Sequence, residues 1–336
     1  MTHELKKIIE SFLTAKTVGK KSVLATVVAL EGSSYRRPGV RMLILEDGKA
    51  IGAVSGGCVE KEVIRQAQSV LSDGVPKMMT YDGRYRLGCE GLLYILIEPF
   101  EPDQSFLNAF NDNLQKRNPI HVACYFFRTE GVDNAMGSIF TIGGHGIPLR
   151  KSFVSNDTLK VFKQTMQPCF KLLIIGAEHD AVQLASFAAL SGWEVTIVAA
   201  PSEEKTLIDF PGAQELLCVD SEGLSMEHID DQTAILLMTH SYVKDLQFLL
   251  RISETIPPYL GILGPAKRRE KLLNELIERH PEIEDAFFDV IHGPAGLNIG
   301  AETAQEISIA ILAEILAVVR FQDPIMLKHK SSPIHT

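Results

Sequence analysis

Ser55-Gly56-Gly57-Cys58 ends an apolar run and opens a stretch, Val59 to Leu71, whose apolar residues fall on one side of a helix. A thiol placed directly behind two glycines at a helix entrance suits one of two roles. It can pack as a small buried hydrophobe. It can also meet a ligand that favours sulfur and negative charge together. Two glycines let backbone N–H groups face such a ligand without a Cβ in the way. The first helical turn offers its positive end to an anion, and a thiol at that position is expected to be more thiolate-like. Gly88-Cys89-Glu90-Gly91 places a second cysteine between glycines, ahead of a strand. Packing alone does not require those glycines. Cys58 and Cys89 are therefore the candidate functional thiols. Cys124, Cys169 and Cys218 sit among apolar neighbours and read as packing residues.

A second constellation lies at "EGSSYRRPGVRM", residues 31–42. Gly32, Ser33, Ser34, Arg36, Arg37 and Arg41 stand in or beside one polar bend. Hydroxyls, backbone N–H groups and guanidinium forks suit a phosphate or another multi-oxygen anion. Taken alone, the same bend also fits a solvated basic loop. A third lies at Gly176-Ala177-Glu178-His179-Asp180-Ala181, where a strand turns into a helix. A dinucleotide fingerprint asks for G-x-G-x-x-G and an acid about 20 residues later. Only Gly176 is kept, Glu178 stands at the second glycine, and Val198, Ala199 and Ala200 fill the ribose position. A carboxylate at that place repels phosphate. The turn residues Gly176, Ala177 and His179 stay candidates for binding, while NAD(P) itself fits poorly. His145 in "IGGHG" reads as a loop residue. The glycine-rich loop 292–303 either closes over a ligand or is a tight connection. The ten histidines show no HExxH or similar metal-ligand spacing.

The elements that must position these residues follow from periodicity. Leu5, Ile8, Ile9, Phe12 and Leu13 form one helical stripe. Residues 22–30 read as a buried strand. Residues 41–54 read as a hairpin turning at Asp47-Gly48, a pair suited to a type I′ turn. The helix behind Cys58 ends at Asp73-Gly74. Strands are expected at 77–83 and 92–100 around a loop, 84–91. A helix near 103–116 and strands near 120–128 and 138–142 follow. After Pro168 the pattern changes to strand, glycine turn, helix, strand over 171–200, with continuous apolar strands of the kind a buried parallel sheet needs. Further strands are expected at 234–239, 259–264 and 285–291. A last helix over 300–320 is announced by Thr303 and Glu306 at capping-box spacing. The fold class is α/β: an N-terminal α/β domain, 1–160, then a Rossmann-like doubly wound parallel sheet, 168–325.

Bulk properties narrow the function classes. The 336 residues are 46% hydrophobic and 22% charged, as in a soluble two-domain protein. The formal net charge of −9 argues against a nucleic-acid binder. Five cysteines without a CxxC pair argue for a reducing compartment, and with no secretory core and no bilayer-length apolar run the expected location is the cytoplasm, away from membranes.

Together, "EGSSYRRPGVRMLI", "GAVSGGCVE", "LGCEGLLYILIEP", "LLIIGAEHDAVQLA", "GILGPAKRREKL" and "IHGPAGLNIGAETAQEISIAILAEI" resemble the XdhC/CoxI family, accessory proteins of molybdenum hydroxylases such as xanthine dehydrogenase. The resemblance spans nearly the whole chain. It implies an N-terminal domain of the XdhC type and a chaperone that binds molybdenum cofactor, supports its sulfuration by a cysteine desulfurase and delivers it to a xanthine dehydrogenase-type apo-enzyme. The cofactor is a pterin with a phosphate, a dithiolene and an oxo-molybdenum centre. Its phosphate would suit the arginine bend or the Ser55-Gly56-Gly57 turn, and its metal–sulfur end would suit Cys58 as a contact to molybdenum, with Cys89 second. Where relatives commonly have Gly-Ala-Gly, this chain has Gly176-Ala177-Glu178, and Glu90 replaces a frequent glycine. The alternatives are an NAD(P)-linked oxidoreductase using the second domain and a sulfur-transfer enzyme built on Cys58 and Cys89. A homodimer is the expected assembly on base rates.

Overall fold

The computed structural model describes residues 1–32, 36–83, 91–227 and 229–331, with Cys58 described by its backbone. The chain forms two compact units, Met1–Pro168 and Cys169–Thr336.

In the first unit the order is α1 (Thr2–Thr17), β1 (Ser22–Glu31), β2 (Arg41–Leu45), β3 (Ala50–Gly52), α2 (Cys58–Asp73), β4 (Lys77–Asp82), β5 (Leu92–Pro99), α3 (Gln104–Gln115), β6 (Ile120–Phe126), β7 (Gly131–Val132), β8 (Gly137–Ile142), β9 (His145–Pro148) and β10 (Lys160–Met166). One six-stranded sheet runs β3-β2-β1-β5-β4-β7, and a four-stranded sheet runs β10-β6-β8-β9. Period-two alternation along β1 feeds two cores. Val23, Ala25 and Val27 pack with Val59, Val63, Ala67 and Val70 of α2. Leu24 and Val28 face the other way, toward α1, α3 and the second sheet, through Leu5, Phe12, Phe106 and Phe140. β10 goes beyond the sequence expectation, and its pairing with β6 carries the first unit past residue 160, to 168. Its exposed Lys160 and Lys163 hide the strand pattern of an edge.

The hairpin forms, but not as a two-residue I′ turn. Among Glu46, Asp47 and Gly48, only Gly48, at φ 82°, enters the left-handed region. The Leu45 amide donates to the Lys49 carbonyl at 2.9 Å, so Glu46, Asp47 and Gly48 together make the loop. The Asp47 carboxylate accepts from the Lys49 amide at 3.1 Å and from Lys20 Nζ at 2.6 Å, an alternative to the I′ geometry.

The second unit holds β11 (Lys171–Ile175), α4 (His179–Leu190), β12 (Glu194–Ala199), β13 (Glu215–Cys218), β14 (Thr233–Leu237), α5 (Tyr242–Ile252), β15 (Tyr259–Ile262), α6 (Ala266–Arg279), α7 (Asp285–Asp289), β16 (Ile291–His292) and α8 (Ala304–Val319). Its six strands are all parallel, in the order β13-β12-β11-β14-β15-β16. Numbered along the chain this is 3-2-1-4-5-6, the doubly wound Rossmann order. Thr303 Oγ1 accepts from the Glu306 amide, and the Glu306 carboxylate accepts from the Thr303 amide, closing the expected capping box on α8. Two expectations fail. Residues 285–289 are helical, and the strand that follows has two residues. One helical turn buries Phe287 while Asp285 and Asp289 stay in solvent, which an extended segment would not do. Cys218, expected as a packing residue, is exposed at the end of edge strand β13; Cys124 and Cys169 are buried.

Candidate functional site

β1 and β3 each pair antiparallel with β2, and β1 and β4 each pair antiparallel with β5. β1, β3 and β4 are therefore codirectional, and their following loops leave one edge of the first sheet. Those loops are the arginine bend, the Ser55-Gly56-Gly57 turn and the segment that carries Cys89. Glu31, Leu92 and Asp82 lie level at that edge. Gly83 N donates to Gly91 O at 3.0 Å and closes the base of the third loop. Ser33, Ser34 and Cys89 lie outside the described residues.

Arg36 joins the first loop to the second. Its Nη1 donates to the Ala53 carbonyl at 3.3 Å, and Glu4 Oε1 of α1 lies 3.6 Å away. Arg37 is exposed and Gly32 turns the chain at φ 81°. In the second loop Gly57 has φ 119°, a conformation that favours glycine, and a Cβ on Gly56 or Gly57 would meet nothing within 4 Å. That side of the turn is open. The two amides at Ser55 and Gly57 are not free, however. Glu60 Oε1 accepts from Ser55 N at 2.7 Å and Oε2 accepts from Gly57 N at 2.8 Å. The carboxylate of α2's own first turn answers part of the helix's positive end, which corrects the reading of these amides as waiting for an anion. The Gly57-x-x-Glu60 spacing is the signal in the sequence that points to it.

Arg41 does not belong to the bend's surface. It is 6% exposed, on β2, and its Nη1 donates to Gly39 O at 2.9 Å and to Gln164 Oε1 of β10 at 2.8 Å. The guanidinium also lies 5.7 Å from the Phe140 ring centroid. Its candidacy as an anion contact is corrected: Arg41 fastens the bend to the second sheet from inside. Burial holds its pKa below the ordinary value, against the opposing influence of Cys124 and Glu98. Glu98 is itself fully buried on β5. Burial pushes its carboxyl up to about 7, while bonds from Ser138 and the charges of Arg150 and Arg41 pull the other way. Burial likewise raises the Cys124 thiol. Sequence reasoning also misses the flank of this edge. Arg128 Nη1 donates to Glu31 Oε1 at 2.9 Å, and Tyr94 OH donates to the same oxygen at 3.1 Å. Burial, then Glu31, raises the Tyr94 pKa.

In the second unit, Gly176 has φ 137°, and a Cβ there would sit 2.4 Å from Met238 O, so the turn from β11 into α4 needs glycine. Ala177 is buried beneath it, and Glu178 and His179 are exposed at the start of α4. The crevice at the carboxyl edge of this sheet encloses about 250 Å³, lined in part by Glu178, Ala200, Glu203, Asp220 and Lys244. Lys244 Nζ lies 3.4 Å from Glu203 Oε1, so the cation is already paired. Glu178, Glu203 and Asp220 make this lining acidic, which disfavours a pyrophosphate there. His240, at φ 56°, brings Nε2 to 3.9 Å from Asp180 Oδ2 beside the same turn. The 292–303 loop is a packed connection in its first half: Ala295 N donates to Ile262 O at 3.1 Å and Gly296 N to Glu314 Oε2 at 2.8 Å. His145 opens β9, exposed. Among the described residues no cluster of three or more metal-ligating side chains occurs, and no helix is long and apolar enough to cross a membrane.

Comparison with known proteins places both units. The XdhC and CoxI family model matches residues 16–82, and the XdhC Rossmann domain model matches 172–315. A Bacillus subtilis protein named as a probable xanthine dehydrogenase subunit is 28% identical, with 88% of this chain and 93% of that protein covered. The Escherichia coli protein named molybdenum cofactor insertion chaperone PaoD is 26% identical, covering 96% of this chain and 91% of its own. A crystal structure from Bacillus halodurans, described as a xanthine dehydrogenase, superposes with a TM-score of 0.76 at 26% identity over 97% of this chain and 98% of its own.

Proposed function

Because the chain belongs to the XdhC and CoxI family, we propose that it is an accessory protein of a molybdenum hydroxylase, one that binds molybdenum cofactor and hands it to a xanthine dehydrogenase-type apo-enzyme. The observation that carries this reading is the convergence of the arginine bend and the Gly56-Gly57 turn on one sheet edge, tied by Arg36 on the Ala53 carbonyl. The residues present suit the group. Arg36 and Arg37 offer guanidinium donors to its phosphate. Gly56 and Gly57 leave room for close approach of a flat pterin. Cys58, first residue of α2, supplies a sulfur donor for the metal end. Bound cofactor would bring a soft, sulfur-ligated metal centre, and the protein's part is to hold it and release it to the client.

Arg36 binds and orients, with Glu4 and Ala53 O fixing its direction. Glu60 keeps the turn in shape by holding the Ser55 and Gly57 amides. Sulfuration on this chain, with a cysteine desulfurase as second partner, is the finer part of the proposal. The oxidoreductase alternative draws no support from the second unit, whose crevice is acidic. The test is retention of molybdenum cofactor by purified protein, alongside Cys58→Ala and Arg36→Ala, with NAD(P)H titrated in parallel. We expect retention that falls at least tenfold in both variants. NAD(P)H binding with cofactor retention indifferent to both substitutions would replace this reading with the oxidoreductase.

A further inference from the structure

The last helix and the segment behind it leave an apolar surface uncovered. α8 is apolar almost all round, as helices enclosed on every side are. Its inner residues Ile311, Leu312 and Ile315 pack into the core beside α4. Yet Ile309 and Leu316, seven residues apart on one face, are exposed, with the small, half-buried Ala313 between them. Leu190, at the end of the neighbouring α4, is 85% exposed. Beyond α8 the chain runs on through Ile325, Met326 and Leu327, all exposed.

The junction itself is anomalous. Phe321 N donates to Val318 O at 3.0 Å and Gln322 N to Ala317 O at 2.9 Å, the paired bonds that close a helix with a left-handed residue. That residue is Phe321, at φ 52°, where glycine is the usual occupant, and it is 92% exposed. A bulky side chain in this region costs about 1 kcal/mol or more. A phenyl ring left in water recovers none of that by burial. Strain and exposure at one residue make sense together if the ring is buried by something outside the chain.

We propose that the α8 face and the arm 321–331 form a two-fold interface with a second copy of this chain, each arm lying over the other copy's helix. Three observations select a second copy. At the exposures these seven apolar residues show, their uncovered surface is on the order of the ~800 Å² per partner of a stable association. The stripe Ile309, Ala313, Leu316 is itself uncharged, and the exposed residues that continue it at either end, Glu306 and Arg320, are of opposite sign, so two antiparallel copies meet there without like charges opposed. One chain also carries both halves, an uncovered stripe and an unseated apolar arm, and two-fold symmetry covers both at once. This inference is independent of the proposed cofactor role.

Sedimentation velocity of the full chain, from about 0.5 to about 50 μM, tests it across the range of a stable association. The expected result is a dimer. Ile309→Glu with Leu316→Glu should make it a monomer with unchanged far-UV circular dichroism. Because a helix substitution can disturb folding, the arm provides a second probe. Phe321→Gly relieves the backbone strain and touches no core residue, yet should weaken the dimer at least tenfold while leaving the monomer's melting temperature equal or higher. A wild-type monomer at the highest concentration overturns the proposal. So does a dimer that tolerates the helix pair or Phe321→Gly.

Discussion

Arg36 and Arg41, close in the chain at the bend, carry opposite duties. Arg36 is half-exposed and lies on a carbonyl of the adjoining loop. Arg41 is buried and fastened to Gly39 and Gln164. Arg36→Ala should therefore change urea-unfolding free energy by less than about 1 kcal/mol, the usual limit for an exposed charge, while impairing cofactor retention. Arg41→Leu strips donors from the buried Gly39 carbonyl and the half-buried Gln164 amide, and a charge from the vicinity of Glu98, and should destabilise by about 2–4 kcal/mol. Equal effects of both substitutions on stability would defeat this division. Glu98 makes a pH-dependent prediction. Its carboxyl is raised to about 7 in the folded chain against an ordinary value of 4.5. Between those two values the folded state binds a proton that the unfolded state has lost, so stability falls as pH rises through this window and levels off above it. Glu98→Gln should flatten that slope, which spans up to roughly 3 kcal/mol between pH 4.5 and 7. Chemical denaturation at about pH 5, 6, 7 and 8 reads it; parallel profiles for variant and wild type would exclude Glu98 as the source.

Among elements, α2 and its approach loop hold the site in shape. Glu60 bonds two amides at once, so Glu60→Ala frees both and should cost about 1–2 kcal/mol in thermal or urea unfolding. Glu60→Gln, which keeps an acceptor oxygen, should restore part of it. Failure of Gln to differ from Ala would show that the bonds contribute little. At the turn into α4, Gly176→Ala forces a Cβ toward Met238 O at 2.4 Å and a left-handed φ on alanine. The expected loss is about 2–3 kcal/mol, confined to the second unit. These positions show where sequence reasoning works at this scale. Gly176 is legible because strand, glycine and helix are contiguous. The Glu60 clasp is legible only as spacing. The helical turn at 285–289 reads as a strand because two phenylalanines and a valine mimic an apolar run when nothing says which of them points inward.

The whole molecule is two units with separate cores. The clusters of the first draw only on residues before 168, and those of the second only on residues after it. Residues 1–168 and 169–336, produced separately, should each unfold cooperatively in denaturant, since each buries its own apolar faces. A non-cooperative transition in either would mean that its core depends on the other.

Family, parallel Rossmann sheet and most helices follow from the chain read as a string, because they rest on local periodicity and on runs of adjacent residues; the motifs on which the proposed cofactor role rests are read the same way. Pairing between distant segments settles the rest. It sets β1, β3 and β4 in one direction, so that motifs far apart in the chain leave one edge. It also turns Arg41 inward, because the second sheet, with strands 120–126 and 160–166, closes over the face on which that side chain stands. Neither outcome is written in any one segment, since strand direction and layer order arise only when distant segments bond.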